Sequence, residues 1–390
     1  MKKYKVMSLL SVLSLLIASN AFATNGMRLI GFGPVQRAMG GVGVSATLDG
    51  ASTLTNPAGM VDLKGRIDFG ATYFSPFVTL ETGGGDIDSD KGASPVPAFG
   101  LIIPTAIDNL SFGVGAYGVS GMGVDFNLSA MSMIMYTSYS LMRFTPGVAY
   151  KIMDMISVGA TANIMYATME YSMNLGGGQM SDMGASAFGG GFTLGVQVKP
   201  IEMVTIGFVY ESTSWFQNFK FNQYIDGGTV TENSMDFNQP MNLTAGVSAE
   251  PIKGLIIAFD LQWIQWSETN GNNKPAFTGG NMDMDWEDQI VYKVGVQYAV
   301  IPLVTVRAGV NYGKSPVPSS SKDANQYGVN AAFPAITEWH ITGGLGLNLS
   351  EKLEVNLGAM FAPEASLAVG ALGKVKMTQY SLDAGVGYKF

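Results

Sequence analysis

From about residue 64 onward, hydrophobic and polar residues alternate in steps of two. In LIIAFDLQW (255–263), Leu255, Ile257, Phe259, Leu261 and Trp263 share one face, and Ile256, Ala258, Asp260 and Gln262 the other. LEVNLGAMF (353–361) sets Leu353, Val355, Leu357, Ala359 and Phe361 against Glu354, Asn356, Gly358 and Met360. LVTVRAGVNY (303–312) sets Val304, Val306, Ala308, Val310 and Tyr312 against Thr305, Arg307, Gly309 and Asn311. ISVGATANIMY (156–166) and IVYKVGVQY (290–298) follow the same rule. Side chains of a strand point alternately to its two faces, so this period predicts a sheet with one aliphatic and aromatic face and one polar, Gly-rich face.

The breaks between these runs have a spacing of their own. Short turns are expected at PTAIDN (104–109), KIMDM (151–155), KPIEM (199–203), EPIKG (250–254), VIPL (300–303) and LSEKL (349–353), about every 50 residues. Between them, pairs of strand-like runs flank longer polar stretches such as 224–234, 268–288 and 315–335. Six turns bound five hairpins, with two strands before the first and two after the last, which makes 14 strands with both termini on the short-turn side. An even strand count, short turns at one end and long loops at the other describe an outer-membrane barrel. Runs of about 9–11 residues suffice to cross a bilayer as tilted strands. Closure also removes the edge strands that would otherwise aggregate. A soluble β-sandwich or solenoid would alternate too, but it leaves the greasy outer face unexplained.

Composition sharpens this picture. Only 13% of the 390 residues are charged while 47% are hydrophobic, against about 25% charged in soluble domains. Beyond the N-terminus there is no uninterrupted apolar run long enough for a transmembrane helix. With no Cys, disulfides, thiolate metal sites and Cys nucleophiles are excluded. A net charge of -8 argues against nucleic acid as a partner. At the N-terminus, Lys2, Lys3 and Lys5, the apolar run 6–18 and the small-x-small AFA at 21–23 read as a secretory signal peptide over residues 1–23, with an N-terminal membrane anchor as the alternative.

The chain ends on a strand, YSLDAGVGYKF (380–390), with Tyr380, Leu382, Ala384, Val386, Tyr388 and Phe390 on the lipid side. Asp383, Gly385, Tyr388 and Phe390 fill a pattern that resembles the C-terminal signal read by the outer-membrane assembly machinery, in which Gly385, Tyr388 and Phe390 are the recognised positions. An ordinary strand end is the alternative.

Residues 24–63 do not alternate. They are rich in small residues, with Gly40, Gly41 and Gly43 together and NPAG at 56–59. Such a segment either hangs into the periplasm or folds back into the lumen, which in a barrel of about 14 strands is wider than side chains alone fill. FGPVQRAMGGVGVSATLDGASTLTNPAGM (32–60) resembles the N-terminal hatch of the FadL family of outer-membrane transporters for long-chain fatty acids and other hydrophobic compounds. The matching residues are Ala38, Met39, Gly40, Gly41, Asp49, Asn56, Pro57 and Ala58.

The resemblance implies an all-β fold: a 14-stranded antiparallel transmembrane β-barrel over residues 64–390, plugged by a hatch over 24–63. It implies passive transport with no cofactor and no metal. Substrate is caught near the outer loops, the hatch rearranges, and release is sideways through a gap made by a kink in the third strand. The implied partners are a hydrophobic substrate, outer-membrane lipid and lipopolysaccharide, and the assembly machinery; the family suggests a monomer.

Candidate residues follow. The third strand, LSFGVGAYGVSGMGVDF (110–126), is crowded with Gly, which marks a bulge or close approach, and the kink is expected at Gly118, Gly121 and Gly123. The next stretch, NLSAMSMIMYTSYSLM (127–142), reads as an outer loop whose Leu128, Met131, Met133, Ile134 and Met135 suit adaptable capture of apolar molecules; a short helix packed on neighbouring loops is the alternative. Asn56, Pro57, Ala58, Gly40 and Gly41 form the hatch motif, with Asn56 holding the closed state by hydrogen bonding. Arg37, Arg143, Lys293 and Arg307 are possible partners for a substrate carboxylate, or for lumen acids such as Asp260 and Glu354. His340, the single His, faces the lumen and has no nucleophile motif beside it. The acidic run 281–288 lacks the Gly and terminal Glu of a known calcium loop. A diffusion porin for small hydrophilic solutes predicts an open, charge-lined lumen without a plug; an outer-membrane enzyme predicts a catalytic cluster in the lumen or loops.

Overall fold

The computed structural model describes residues 25–128, 133–174, 180–225, 229–277, 280–281, 283–319 and 324–390. The expected signal segment lies outside the described residues. Fourteen strands form the wall: β1 (Arg66–Thr82), β2 (Ser94–Pro104), β3 (Leu110–Met122), β4 (Met133–Phe144, continued by Gly147–Met153), β5 (Ile156–Asn174), β6 (Met180–Ile201), β7 (Val204–Glu211), β8 (Asn242–Ile252), β9 (Leu255–Ile264), β10 (Gln289–Ile301), β11 (Val304–Gly313), β12 (Trp339–Asn348), β13 (Leu353–Ala368) and β14 (Lys374–Lys389). Each pairs antiparallel with the next. β14 returns to β1 from Arg66↔Lys389 to Glu81↔Lys374, which closes the barrel.

The alternation maps onto lipid and lumen as expected. Phe69, Tyr73, Phe77, Ile257, Phe259, Leu261, Leu357, Leu382 and Tyr388 are exposed on the outer face. Outward aromatic side chains also pair across strands, as in Tyr312–Trp339 with centroids 4.4 Å apart and Phe361–Tyr380 at 5.1 Å.

The lumen face changes character with height. On β5, Met169, Ala167 and Met165 at the outer end give way to Asn163, Thr161 and Ser157, all buried. On β14, Val375 and Met377 give way to Gln379, Ser381 and Asp383. The outer half is thus one apolar cluster, which includes Val78, Met122, Met135, Tyr139, Phe219, Phe237 and Trp266. The inner half carries the polar groups.

Three stretches differ from the sequence reading. The supposed polar loop 224–234 is largely a hairpin, in which Phe219–Ile225 pairs with Thr229–Met235 above β7 and β8. A hairpin outside the bilayer needs no greasy face, so its alternation is weak. Within 315–335 a helix (Ala324–Ala332) turns inward and buries Ala331, Ala332 and Phe333 in the outer lumen. The supposed outer loop 127–142 is strand β4 from Met133 on, paired along Ile134–Phe144 with β5. Here both faces mix polar and apolar residues, Thr137 and Arg143 with Tyr139 and Leu141 on one and Ser138 and Ser140 with Met142 and Phe144 on the other, which erases the period of two.

Residues 25–63 sit inside the barrel and are almost wholly buried. They form helix α1 (Gly33–Ala38), one turn of helix α2 (Ser52–Thr55) and a 3₁₀ turn (Pro57–Asp62). The wall admits them by lacking side chains where they touch it. A Cβ on Gly159 would overlap Pro57, one on Gly195 would overlap Asn56, one on Gly207 would overlap Val44, and one on Gly295 would overlap Met39. Gly195→Leu is therefore expected to leave the barrel folded, read as heat-modifiable gel migration, while residues 25–63 become cleavable by protease. A protected segment would show that the close approach is not required.

Candidate functional site

The inner segment is held by side chains buried from both sides. Asn56 is fully buried and caps the turn it begins, accepting from the Ala58 N–H at 3.1 Å. Its amide donates to the Val44 carbonyl at 2.7 Å and to Val196 of β6 at 3.2 Å. Pro57 lies on Gly159 of β5. Gly40 and Gly41 have φ of 68° and 81°, where a side chain is strained, and both are pressed against backbone. The Gly40 N–H donates to Thr342 Oγ1 at 2.9 Å and its carbonyl accepts from Asn311 at 3.3 Å. The motif residues are thus brought together as anchors between segment and wall.

Charges complete the attachment. Asp260 of β9 accepts from the N–H groups of Gly43 and Val44 at 2.8 and 3.1 Å. Arg37 pairs with Asp383 of β14 at 3.0 Å. Arg66 bonds Asp68 and Glu354, and donates to the Leu48 carbonyl at 2.9 Å. Beside them Asp49 is pushed up to about 7, by burial first and then by the Asp68 charge, against the pull of Arg66. Asp62 bonds Lys151 and Lys199, each at 2.6 Å. Burial pushes its carboxyl up, but the two ammonium groups outweigh this and hold it below the usual carboxylate range.

The four cations proposed for a carboxylate all face inward, and each meets a protein group. Arg37 has Asp383. Arg143 is 2.6 Å from Glu211 of β7. Lys293 stands across from Asp260 in the β9–β10 register. Arg307 donates to Gln297 at 2.7 Å and Asn356 at 2.8 Å. His340 is fully buried in the lumen wall, opposite Asn311 in register. Among the described residues no group of His, Cys, Asp and Glu gathers at metal-binding spacing.

β3 is broken where its glycines cluster. Its pairing with β2 ends at Ala98↔Tyr117. Its pairing with β4 slips by a residue between Gly118 and Ser120. Val119, Ser120, Met122 and Val124 are buried on both alternating faces, as in a strand turned inward. Gly118 abuts Val96, Gly121 stands opposite Ser140, and Gly123, with φ 156°, meets the Thr137 carbonyl. The vacated edge is taken from inside: Leu29 N–H donates to Val119 O at 3.2 Å, and Gly121 N–H to Met27 O at 3.1 Å. Above the break, Asp90 N–H bonds Asp125 O at 2.8 Å, and Lys91 is buried against the Thr137 carbonyl (3.0 Å) and the Tyr136 ring (4.3 Å). Burial pulls the Lys91 amine down to about 8, against the charges of Glu170 and Asp125.

Of the residues expected to capture substrate, Met135 is fully buried in the outer-lumen cluster. Met131 lies outside the described residues, as do the side chains of Leu128, Met133 and Ile134. Gly385 packs on Pro34, while Tyr388 and Phe390 face lipid, with Phe390 N–H bonded to Gly65 O at 2.9 Å. Arg28, which pairs with Glu211 at 2.9 Å, and Asp260 also anchor the segment, yet the sequence reading gave Arg28 and Glu211 no role and Asp260 only a partner's. A charge on the lumen side of a strand, in a chain with few charges, was the available signal. At the outer end Lys314, Val317, Ile336, Trp339, Pro363 and Leu367 line a cavity of about 330 Å³, while a void beside the break, lined by Phe32, Asp49 and Tyr117, holds about 20 Å³.

A family model described as "Outer membrane protein transport protein (OMPP1/FadL/TodX)" matches residues 10–358. Three solved structures share the fold. The Pseudomonas putida toluene transporter TodX has a TM-score of 0.74 and 17% identity, covering 93% of this chain and 99% of its own. The Ralstonia pickettii toluene transporter TbuX has a TM-score of 0.74 and 18% identity over 93% and 99%. A Pseudomonas aeruginosa FadL homologue has a TM-score of 0.78 and 16% identity over 94% and 100%. A curated uncharacterized protein of Chlorobium limicola, from the phosphoenolpyruvate carboxykinase gene 5' region, is 36% identical over 80 residues. That match spans 20% of this chain and 39% of the relative's length.

Two outcomes are expected. Asn56→Ala removes two donated bonds and one accepted bond in a buried site; at about 1–3 kcal/mol the released segment becomes roughly 5- to 150-fold more populated, read as raised ion conductance in planar bilayers. A depressed carboxyl stabilises above its unfolded pKa and loses that contribution as pH falls. The Asp62 tie is therefore present above about pH 4 and lost in acid. Asp62→Asn should show at pH 7 the protease sensitivity of residues 25–63 that the unaltered protein shows only in acid.

Proposed function

The chain belongs to the OMPP1/FadL/TodX family of outer-membrane transport proteins, and from that membership we propose passive movement of hydrophobic compounds by capture, plug rearrangement and lateral release. The protein is a transporter rather than an enzyme, and its place is the outer membrane. The substrates we assign are long-chain fatty acids or aromatic and aliphatic hydrocarbons.

One observation carries this reading: the wall is broken at β3, and the edge left at Val119 and Gly121 is taken from within, by a segment lodged beneath an apolar outer lumen. An apolar solute gains about 0.8 kcal/mol per buried methylene in such a lumen. A water-filled pore offers it nothing. Met side chains supply an adaptable lining. The outer cavity of about 330 Å³ lies in the range of small-molecule pockets and is where capture begins. The void of about 20 Å³ beside the break holds little more than a water, so passage there requires residues 25–63 to move as a hatch. The C-terminal Gly385, Tyr388 and Phe390 present the assembly signal, and residues 1–23 act as the export signal.

The state of the cations favours uncharged substrates. Arg37 and Arg143 already hold carboxylates, and a fatty acid that used either would have to displace one. A diffusion porin is disfavoured by the filled lumen.

The test is uptake of labelled oleate and labelled toluene by cells that lack their own fatty acid transporter. The double variant Asn56→Ala, Pro57→Ala is the control. Uptake of either compound that the variant alters supports transport through the hatch, and the compound taken up decides the class. Uptake of neither, with small sugars passing freely, would replace this reading with a porin.

A further inference from the structure

We propose that Glu211 is the positioning residue that latches residues 25–29 into the break of the wall, so that its carboxylate controls how often the release route opens. This rests on the reading of β3 as the release route.

The latched segment is a tight turn. Asn25 N–H donates to Arg28 O at 3.0 Å, and Arg28 N–H returns to Asn25 O at 3.2 Å. Gly26, with φ 63°, lies on the Trp266 ring, where no side chain fits. One edge of the turn repairs β3 through Met27 and Leu29, and Ser120 Oγ adds a bond to Met27 O at 2.7 Å. This ladder is short and belongs to a piece of chain that enters the wall from the lumen, so backbone pairing alone holds it weakly.

The Arg28 side chain leaves in the other direction. Its two terminal nitrogens bond the two oxygens of Glu211, each at 2.9 Å. This bidentate arrangement joins charge to geometry. Glu211 Oε1 also accepts from Arg143 at 2.6 Å. Arg143 stands opposite Tyr117 in the β3–β4 register, and Tyr117 is the last β3 residue paired to β2. One carboxylate therefore ties the plugging segment to the strand beside the break.

Two guanidinium groups share one carboxylate in a buried place. Removing the carboxylate leaves two buried cations unneutralised, which is strongly unfavourable. The cation that can leave is Arg28, because Arg143 is fixed in a wall strand. The backbone ladder of the wall does not use the carboxylate, since Glu211 is paired by register to Thr193 and Asn242 on its two neighbouring strands, although Arg143 in the wall shares it. The part free to move when it is lost is the segment.

The chain has no Cys, so a single introduced thiol reports position cleanly. Leu29→Cys places the thiol at a buried residue of the segment, and its rate of reaction with a maleimide is measured on the folded, heat-modifiable protein. Glu211→Gln is expected to raise that rate at least tenfold. Arg28→Met should do the same while leaving the Arg143–Glu211 pair in the wall, so it carries the test alone if Glu211→Gln fails to fold. Arg28→Lys, which keeps the charge but not the fork, should fall between.

A rate unchanged within twofold in folded Arg28→Met overturns the latch. Equal acceleration at a thiol placed by Ala38→Cys, elsewhere in the plug, also overturns it, because that would be general loosening. Thiol reactivity reads the segment and not the substrate. Faster labelling with unchanged oleate and toluene uptake would uphold the latch and count against lateral release.

Discussion

Inside a bilayer every backbone N–H and C=O must find its partner within the protein, and the rest of this structure is arranged around that constraint. Closure of β14 on β1 satisfies it around the wall. The inward turn of β3 violates it locally, where β2 and β3 part after Tyr117. The missing partners come from chain that is not wall: residues 27 and 29 from below, and the Asp90–Asp125 contact from above. A defect repaired by a separable piece of chain can be reopened without unfolding the barrel. A flawless barrel has no such option.

The interior is divided for the same reason. The inner half must seat a segment whose irregular backbone exposes many polar groups, so its walls carry Asp260, Gln197, Thr342 and Asn311 to meet them. The Gly positions between these groups let backbone approach backbone. The outer half seats the helix Ala324–Ala332, whose own backbone bonds are closed, and is lined by Met, Phe and Trp. An apolar molecule that enters from outside thus meets a greasy chamber first and a charged floor beneath it. The break in β3 lies near the level where the two meet, beside the cluster of Leu29, Ile30, Phe74 and Val96.

Much of this was legible in order along the chain. The alternation in 255–263 and 353–361 separates lipid from lumen correctly because the lumen face there carries Asp260, Gln262, Glu354, Asn356 and Gly358 among fewer apolar residues. It fails in 133–144, where Tyr139 and Leu141 share the lumen face with Thr137 and Arg143 while Ser138 and Ser140 lie on the other. The Gly-rich third strand pointed to an irregularity, and the register slip falls between Gly118 and Ser120. Asn56 was marked as a hydrogen-bonding residue by the family resemblance, and its bonds to Val44, Ala58 and Val196 are a finding of the structure. Arg143 was legible as a lumen cation, but its partner was not: Glu211 is 68 residues away along the chain. Its place on the lumen side of a strand marks it as a candidate, but nothing local says which cation it meets.

The sequence by itself determined the class of fold, the strand number, the faces of most strands and the composition of the segment before β1. These depend on periodicity and on turn chemistry, both properties of neighbours along the chain. Only the tertiary structure decided where that segment lies, which wall glycines it touches, and which acid each cation meets. Those choices are made across the lumen, between residues such as Arg28 and Glu211 separated by 183 positions. Closing the barrel brings them together, and burial then forces each charge to find a partner.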